Sequence, residues 1–94
     1  MIVRYTPRAE RDLEGILVYI SERSESGARN VWRSITAAIE GLAENPEIGV
    51  KTRLPGVRVR IAVGYPYKIF YRVRDDAVDI LHIRHGARRV WRGV

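Results

Sequence analysis

The side chains best able to do chemistry in this sequence are arginines. Lys and Arg total 17 against 11 Asp and Glu, a net charge of +6, and 15 of the 17 cations are Arg. A planar guanidinium grips phosphate or carboxylate through paired hydrogen bonds, so the bias points to an anionic partner. The excess is confined to one half of the chain. Residues 1–49 hold 6 basic and 8 acidic side chains, whereas residues 50–94 hold 11 basic and 3 acidic. That asymmetry sets up a field that draws in nucleic acid or an acidic protein. Within the basic half, Arg58, Arg60, Lys68, Arg72 and Arg74 lie in two alternating runs, and Arg88, Arg89 and Arg92 surround Trp91. The second group combines cations for an anion with an indole for packing or stacking.

Other chemistries find less material. His82 and His85 are three residues apart, which places them on opposite faces of a strand, and Asp75, Asp76 and Asp79 lie at or beside a turn. No metal-ligand set converges from that spacing, and with no cysteine in the chain disulfides and thiolate sites are excluded. Neither a metal nor a cofactor is called for. Arg4 and Asp12 are expected to pair structurally.

The elements that must position these side chains follow from hydrophobic spacing. Ile2 to Thr6 is β-branched and aromatic and reads as a strand. Thr6-Pro7 opens a helix, with Thr6 as N-cap and Pro7 where a missing N–H costs nothing. Ala9, Leu13, Ile16, Leu17 and Ile20 form its apolar stripe, and Arg8, Arg11, Asp12, Glu22 and Arg23 are assigned to the opposite face. Ser24 to Gly27 caps a second helix carrying Ala28, Val31, Trp32, Ile35, Ala38, Ile39 and Leu42, which Asn45-Pro46 ends. Beyond a loop containing Pro46, Gly49, Pro55 and Gly56, three strands are expected: Val57–Val63, Tyr67–Arg74 and Ala77–His85. Gly64-Tyr65-Pro66 and Asp75-Asp76 supply the turns. The expected fold is α+β, in the order β-α-α-β-β-β, with a helical hairpin on one face of a small, largely antiparallel sheet. The 94 residues make one domain, 1–94, without repeat, linker or low-complexity tract. No apolar run reaches the ~20 residues of a membrane span, and the N-terminus lacks a signal-peptide pattern.

Alternation predicts which way the cations point. If Val57, Val59, Ile61 and Val63 face the helices, Arg58 and Arg60 face away. Ile69, Tyr71 and Val73 inward would place Lys68, Arg72 and Arg74 outward beside them. That is a five-cation sheet face with no carboxylate interleaved.

Several segments taken in order resemble a known family. They are Ala9-x-x-Asp12-Leu13-x-x-Ile16-x-x-Tyr19-Ile20, Asn45-Pro46-x-x-Gly49, Tyr67-Lys68-Ile69-Phe70-Tyr71-Arg72-Val73, Asp75-Asp76, and Ile80-Leu81-x-Ile83-x-His85-x-x-Arg88-Arg89. Together they look like the ParE/RelE superfamily of toxins from bacterial type II toxin–antitoxin modules, of the kind associated with plasmid stabilization. The resemblance implies a small cytoplasmic toxin neutralised by an acidic antitoxin encoded beside it. ParE-like members inhibit DNA gyrase, and RelE-like members cleave mRNA in the ribosomal A site.

The two branches make different demands. Metal-independent RNA cleavage needs a group to activate the 2′-OH, an acid for the leaving oxygen, and cations for the phosphorane charge. Carried over from RelE-like enzymes, the basic cluster would be Arg58, Arg60, Lys68 and Arg88. Their C-terminal Tyr has no counterpart, since Trp91 or Val94 stands near its place. His85 is the remaining substitute. The paired helices and the His85-x-x-Arg88-Arg89 ending resemble ParE. The expectation is therefore a gyrase inhibitor acting by binding, with no reaction of its own. Arg58, Arg60, Lys68, Arg72, Arg88, Arg89 and Trp91 would contact target or antitoxin. The alternatives are a RelE-like mRNA endonuclease working at the ribosome, and a basic module that binds single strands through Tyr65, Tyr67 and Phe70.

Overall fold

Thr6 decides how the first strand becomes the first helix. Its hydroxyl accepts from the Ala9 amide at 3.2 Å as an N-cap and donates to the Ile80 carbonyl at 2.8 Å, while its own amide donates to the same carbonyl at 3.1 Å. One residue thus caps a helix and extends a sheet ladder. The computed structural model describes residues 1–86. The elements run β1 (Ile2–Tyr5), α1 (Pro7–Ser21), α2 (Glu25–Glu44), β2 (Val50–Lys51), β3 (Val57–Ile61), β4 (Tyr67–Arg74) and β5 (Ala77–His85). Ser24 caps α2 by accepting from the Gly27 amide at 2.9 Å, and Asn45 ends it.

The sheet order is β1-β5-β4-β3-β2, with β1 parallel to β5 and every other pair antiparallel. The fold is α+β as expected, with one strand more. Two-residue β2 is too short to show an alternation, so no pattern announces it. β3 stops at Ile61, two residues early, because the chain turns through Gly64 at φ 81°. The Asp75-Asp76 turn is a tight one, with Asp75 in the left-handed region at φ 57°, which Asp tolerates better than most residues.

The core lies between the hairpin and one sheet face. Val31, Ile35, Ile39 and Leu42 from α2 and Ala9 from α1 pack with Ile69, Tyr71, Val78, Ile80 and Ile83, and Leu13, Ile16, Leu17 and Ile20 close its margin. Trp32 does not join them. It is 49% exposed, one residue and so about 100° around the helix from the Val31 stripe.

Candidate functional site

Strand register fixes which face each cation occupies, since directly opposed residues in an antiparallel pair share a face. Arg60 is opposite Ile69 and Arg58 is opposite Tyr71, and both Ile69 and Tyr71 lie in the core beneath the helices. Arg58 and Arg60 therefore stand on the helix side of the sheet, the reverse of the expected placement. Val57, Val59 and Ile61 face away instead. The alternation of β3 is real, but the helices do not reach over it, packing chiefly on β1, β4 and β5. Burial by helices therefore never selected which set would turn inward.

Arg58 is committed to the loop after α2. It donates to the carbonyls of Gly49 at 2.8 Å and Glu47 at 3.3 Å. The Tyr71 hydroxyl completes the clamp, accepting from the Gly49 amide at 2.9 Å and donating to the Pro46 carbonyl at 2.7 Å. Burial raises the Tyr71 hydroxyl above its usual range, so it stays a donor. A Cβ on Gly49 would overlap the Tyr71 ring, which accounts physically for the Asn45-Pro46-x-x-Gly49 spacing.

The face away from the helices carries Lys68, Phe70, Arg72 and Arg74 from β4. In register with them are Arg84, His82, Asp79 and Ala77 from β5. Lys68, Arg72 and Arg74 are thus placed as expected, and Arg84 joins them. A carboxylate is interleaved after all: Asp79 lies opposite Arg72 and binds Arg4 at 2.7 Å. Phe70 stacks on His82 with ring centroids 5.7 Å apart and is 7% exposed, too covered to serve as an open stacking platform. Tyr67 and Tyr71 belong to the helix side, and Tyr67 meets His85 edge-on at 5.4 Å.

Asp12 is the residue that sequence reading misplaced most. It neither pairs with Arg4 nor faces solvent. Its Oδ2 accepts from the Ile83 amide at 3.0 Å and from His82 Nδ1 at 2.7 Å, with Arg8 Nε 3.8 Å away. β1 ends opposite Ile80, and the register of β4 on β5 shifts just beyond, past Leu81. Asp12 takes over the β5 edge where β1 leaves it. Because a carboxylate only accepts, the proton sits on Nδ1 of His82. Burial lowers the His82 pKa, opposed by the bond to Asp12, so the ring is held neutral. The Arg8–Asp12 spacing of one helical turn is visible in the sequence, but nothing local announces a partner 70 residues away.

A groove of about 340 Å³ runs between α2 and β3, lined by Arg33, Ser34, Ala37, Ala38 and Gly41 on one side and Ile48, Arg60 and Val63 on the other. Arg88, Arg89 and Trp91 lie outside the described residues. Among the described residues, no three His, Asp or Glu side chains gather as a metal site, and no helix is long and apolar enough to cross a membrane.

Comparison with known proteins converges on one group. The family described as ParE toxin of type II toxin-antitoxin system, parDE, matches residues 3–90. Toxin RelE2 of Caulobacter vibrioides is 40% identical over 87 residues, covering 92% of this chain and 96% of its own length. Putative toxin Y4kP of Sinorhizobium fredii is 36% identical over 89 residues, covering 95% and 91%. Among solved structures, the chromosomal ParDE system from P. aeruginosa superposes with a TM-score of 0.78 at 25% identity, covering 90% of this chain and 95% of that one. The toxin-antitoxin complex RelBE2 from Mycobacterium tuberculosis shares the fold, with a TM-score of 0.64 at 23% identity, covering 89% and 95%.

Proposed function

Since the chain belongs to the ParE/RelE family of toxins from type II toxin–antitoxin systems, we propose that it acts in the cytoplasm as a ParE-like inhibitor of DNA gyrase. In this reading it works by binding and is held inactive by an acidic antitoxin. The observation that supports binding over cleavage is the division of the cations between the two sheet faces. Of the set carried over from RelE-like enzymes, Arg58 and Arg60 stand on the helix side and Lys68 on the other. Arg58 is already bonded to two carbonyls. A phosphorane needs its cations and its proton-transfer groups within hydrogen-bond reach of one phosphate, and residues separated by a sheet do not provide that.

The mRNA-cleaving reading keeps one observation in its favour. Lys68, Arg72 and Arg84 share the far face with His82, whose Nδ1 is oriented by Asp12 in the manner of a carboxylate-supported imidazole. If that reading held, Lys68→Ala would abolish ribosome-dependent cleavage while leaving the melting temperature unchanged.

The toxin reading itself is tested by inducing the chain in cells with and without the polypeptide encoded beside it. Growth arrest relieved by the neighbour is expected, together with loss of DNA supercoiling during the arrest. Unimpaired growth on induction of the folded protein would refute it.

A further inference from the structure

α1 carries a second stripe, set apart from the one that enters the core. Arg8, Arg11, Gly15, Tyr19 and Glu22 follow one another at steps of three and four, with Val18 beside Tyr19 on the same side. The core stripe of Ala9, Leu13, Ile16 and Ile20 lies elsewhere around the helix, and Asp12 falls between the two. Val18 is 52% and Tyr19 59% exposed, and a Cβ at Gly15 would meet nothing within 4 Å. Glycine inside a helix is destabilising relative to alanine, and among the described residues nothing stands close enough to Gly15 to require one.

The charges at the ends of this stripe run against the helix that carries them. A helix favours carboxylates in its first turn and cations in its last. Here Arg8 is in the first turn and Glu22 is the C-cap, and the last turn has no basic residue. Their side chains are 44% and 69% exposed. Each is seven residues from Gly15, about 10.5 Å along the axis. A second copy of α1 crossing antiparallel at Gly15 therefore brings Arg8 level with the partner's Glu22, and the two-fold axis repeats the pair on the other side. Arg11 and Tyr19, each four residues from the crossing, meet in the same way. That sets a guanidinium against a ring over which Arg23 of its own chain already lies at 3.7 Å. Steps of three and four suit a shallow crossing of about 20°, which keeps such groups opposite one another. Between Pro7 and Arg23 the chain has three basic and four acidic side chains, so this surface lacks the positive excess that repels two copies elsewhere.

We propose that the chain pairs with a second copy of itself through α1, as an antiparallel two-fold dimer with Gly15 at the crossing. Gly15 lets the two backbones approach, Val18 and Tyr19 supply apolar contact, and the Arg8–Glu22 pairs fix the antiparallel direction. A helix of 15 residues is about 22 Å long and buries well under the roughly 800 Å² per partner of a standard interface. The dimer is accordingly a weak one, with a Kd on the order of 10–100 µM. The stripe shares no residue with the far sheet face or with the groove beside α2, so pairing leaves both accessible. Self-association through α1 is independent of the gyrase reading.

Sedimentation velocity of the full chain at low salt, from about 1 to 500 µM, tests this directly. Arg8→Glu and Glu22→Arg each place like charges opposite one another in a dimer of identical chains, whereas an equimolar mixture of the two variants restores both ion pairs. Each substitution also puts at its helix end the charge that the dipole favours, so both variants should fold, which thermal melts verify. The wild type should dimerise in the stated range, and each variant alone should bind itself at least about fivefold more weakly. Their mixture should associate about as tightly as the wild type, and all these differences should shrink as salt rises. A second measurement uses the absence of cysteine from the chain. Gly15→Cys places one thiol at the symmetry axis, and Gly41→Cys, equally open on α2, is the matched control. Mild oxidation should cross-link Gly15→Cys roughly tenfold faster. A wild type that stays monomeric throughout would overturn the proposal, as would a mixture no tighter than either variant alone or equal cross-linking from positions 15 and 41. None of these results would touch the toxin reading.

Discussion

Tyr71→Phe removes one oxygen and leaves the ring, so it isolates what the clamp on the Pro46–Gly49 loop contributes. The hydroxyl makes two hydrogen bonds, at 2.9 Å from the Gly49 amide and 2.7 Å to the Pro46 carbonyl. Each is worth about 1 kcal/mol net, and an amide left unpaired in a buried position costs about 1–3 kcal/mol. Gly49 is buried, so its amide cannot recover a water, whereas the half-buried Pro46 carbonyl can. Arg58 still holds the Gly49 carbonyl, so the loop stays in place and the orphaned amide stays dry. The expected destabilisation is about 2–3 kcal/mol, which for a domain of this size lowers the melting temperature by roughly 10–20 °C. Reversible urea unfolding followed by circular dichroism gives the number directly. Gly49→Ala should be at least as damaging, because its Cβ would lie 2.7 Å from Tyr71 Cε1. A loss below about 0.5 kcal/mol in Tyr71→Phe would refute the reasoning, since Gly49 would then have another partner.

Three other substitutions probe separate parts of the molecule. Ile39→Ala opens a cavity at a position 2% exposed and should cost about 2–5 kcal/mol in urea unfolding. Gly15→Ala, in open space within α1, should stabilise by about 0.5–1 kcal/mol through the unfolded chain and helix propensity. His82 has a folded pKa below its ordinary 6.5, so its contribution is complete above that value and declines as pH falls from about 6.5 toward the folded pKa. The melting temperature should drop over that window, and His82→Gln should flatten the slope. An unchanged slope would remove His82 as its source.

How much of this was legible in the sequence depended on whether local spacing or distant contact decided the matter. Thr6, Pro7, Ser24 and Asn45 mark helix ends through chemistry within four residues of themselves, and the structure places the caps there. The bounds of β4 and β5 follow from alternation and a two-residue turn in the same way. The face of β3 did not, because its parity is set by where α2 stops covering the sheet. Arg58 and Arg60 were consequently placed on the wrong side. Asp12 carried the same difficulty in another form. It lies on the polar side of the α1 pattern, yet the β5 edge needs an acceptor for the Ile83 amide at that point. The groove had no signature either, since Ala37, Gly41, Ile48 and Val63 come from three separate segments.

The central claim, that this toxin acts on gyrase by binding, is tested most directly by titrating the purified chain into two assays side by side. One is ATP-dependent supercoiling of relaxed plasmid by gyrase. The other is translation of a defined mRNA on purified ribosomes, with cleavage mapped by primer extension. Dose-dependent loss of supercoiling with intact mRNA is the predicted result. Cleaved mRNA with supercoiling unaffected at the same concentrations would contradict the account and transfer the activity to the ribosome.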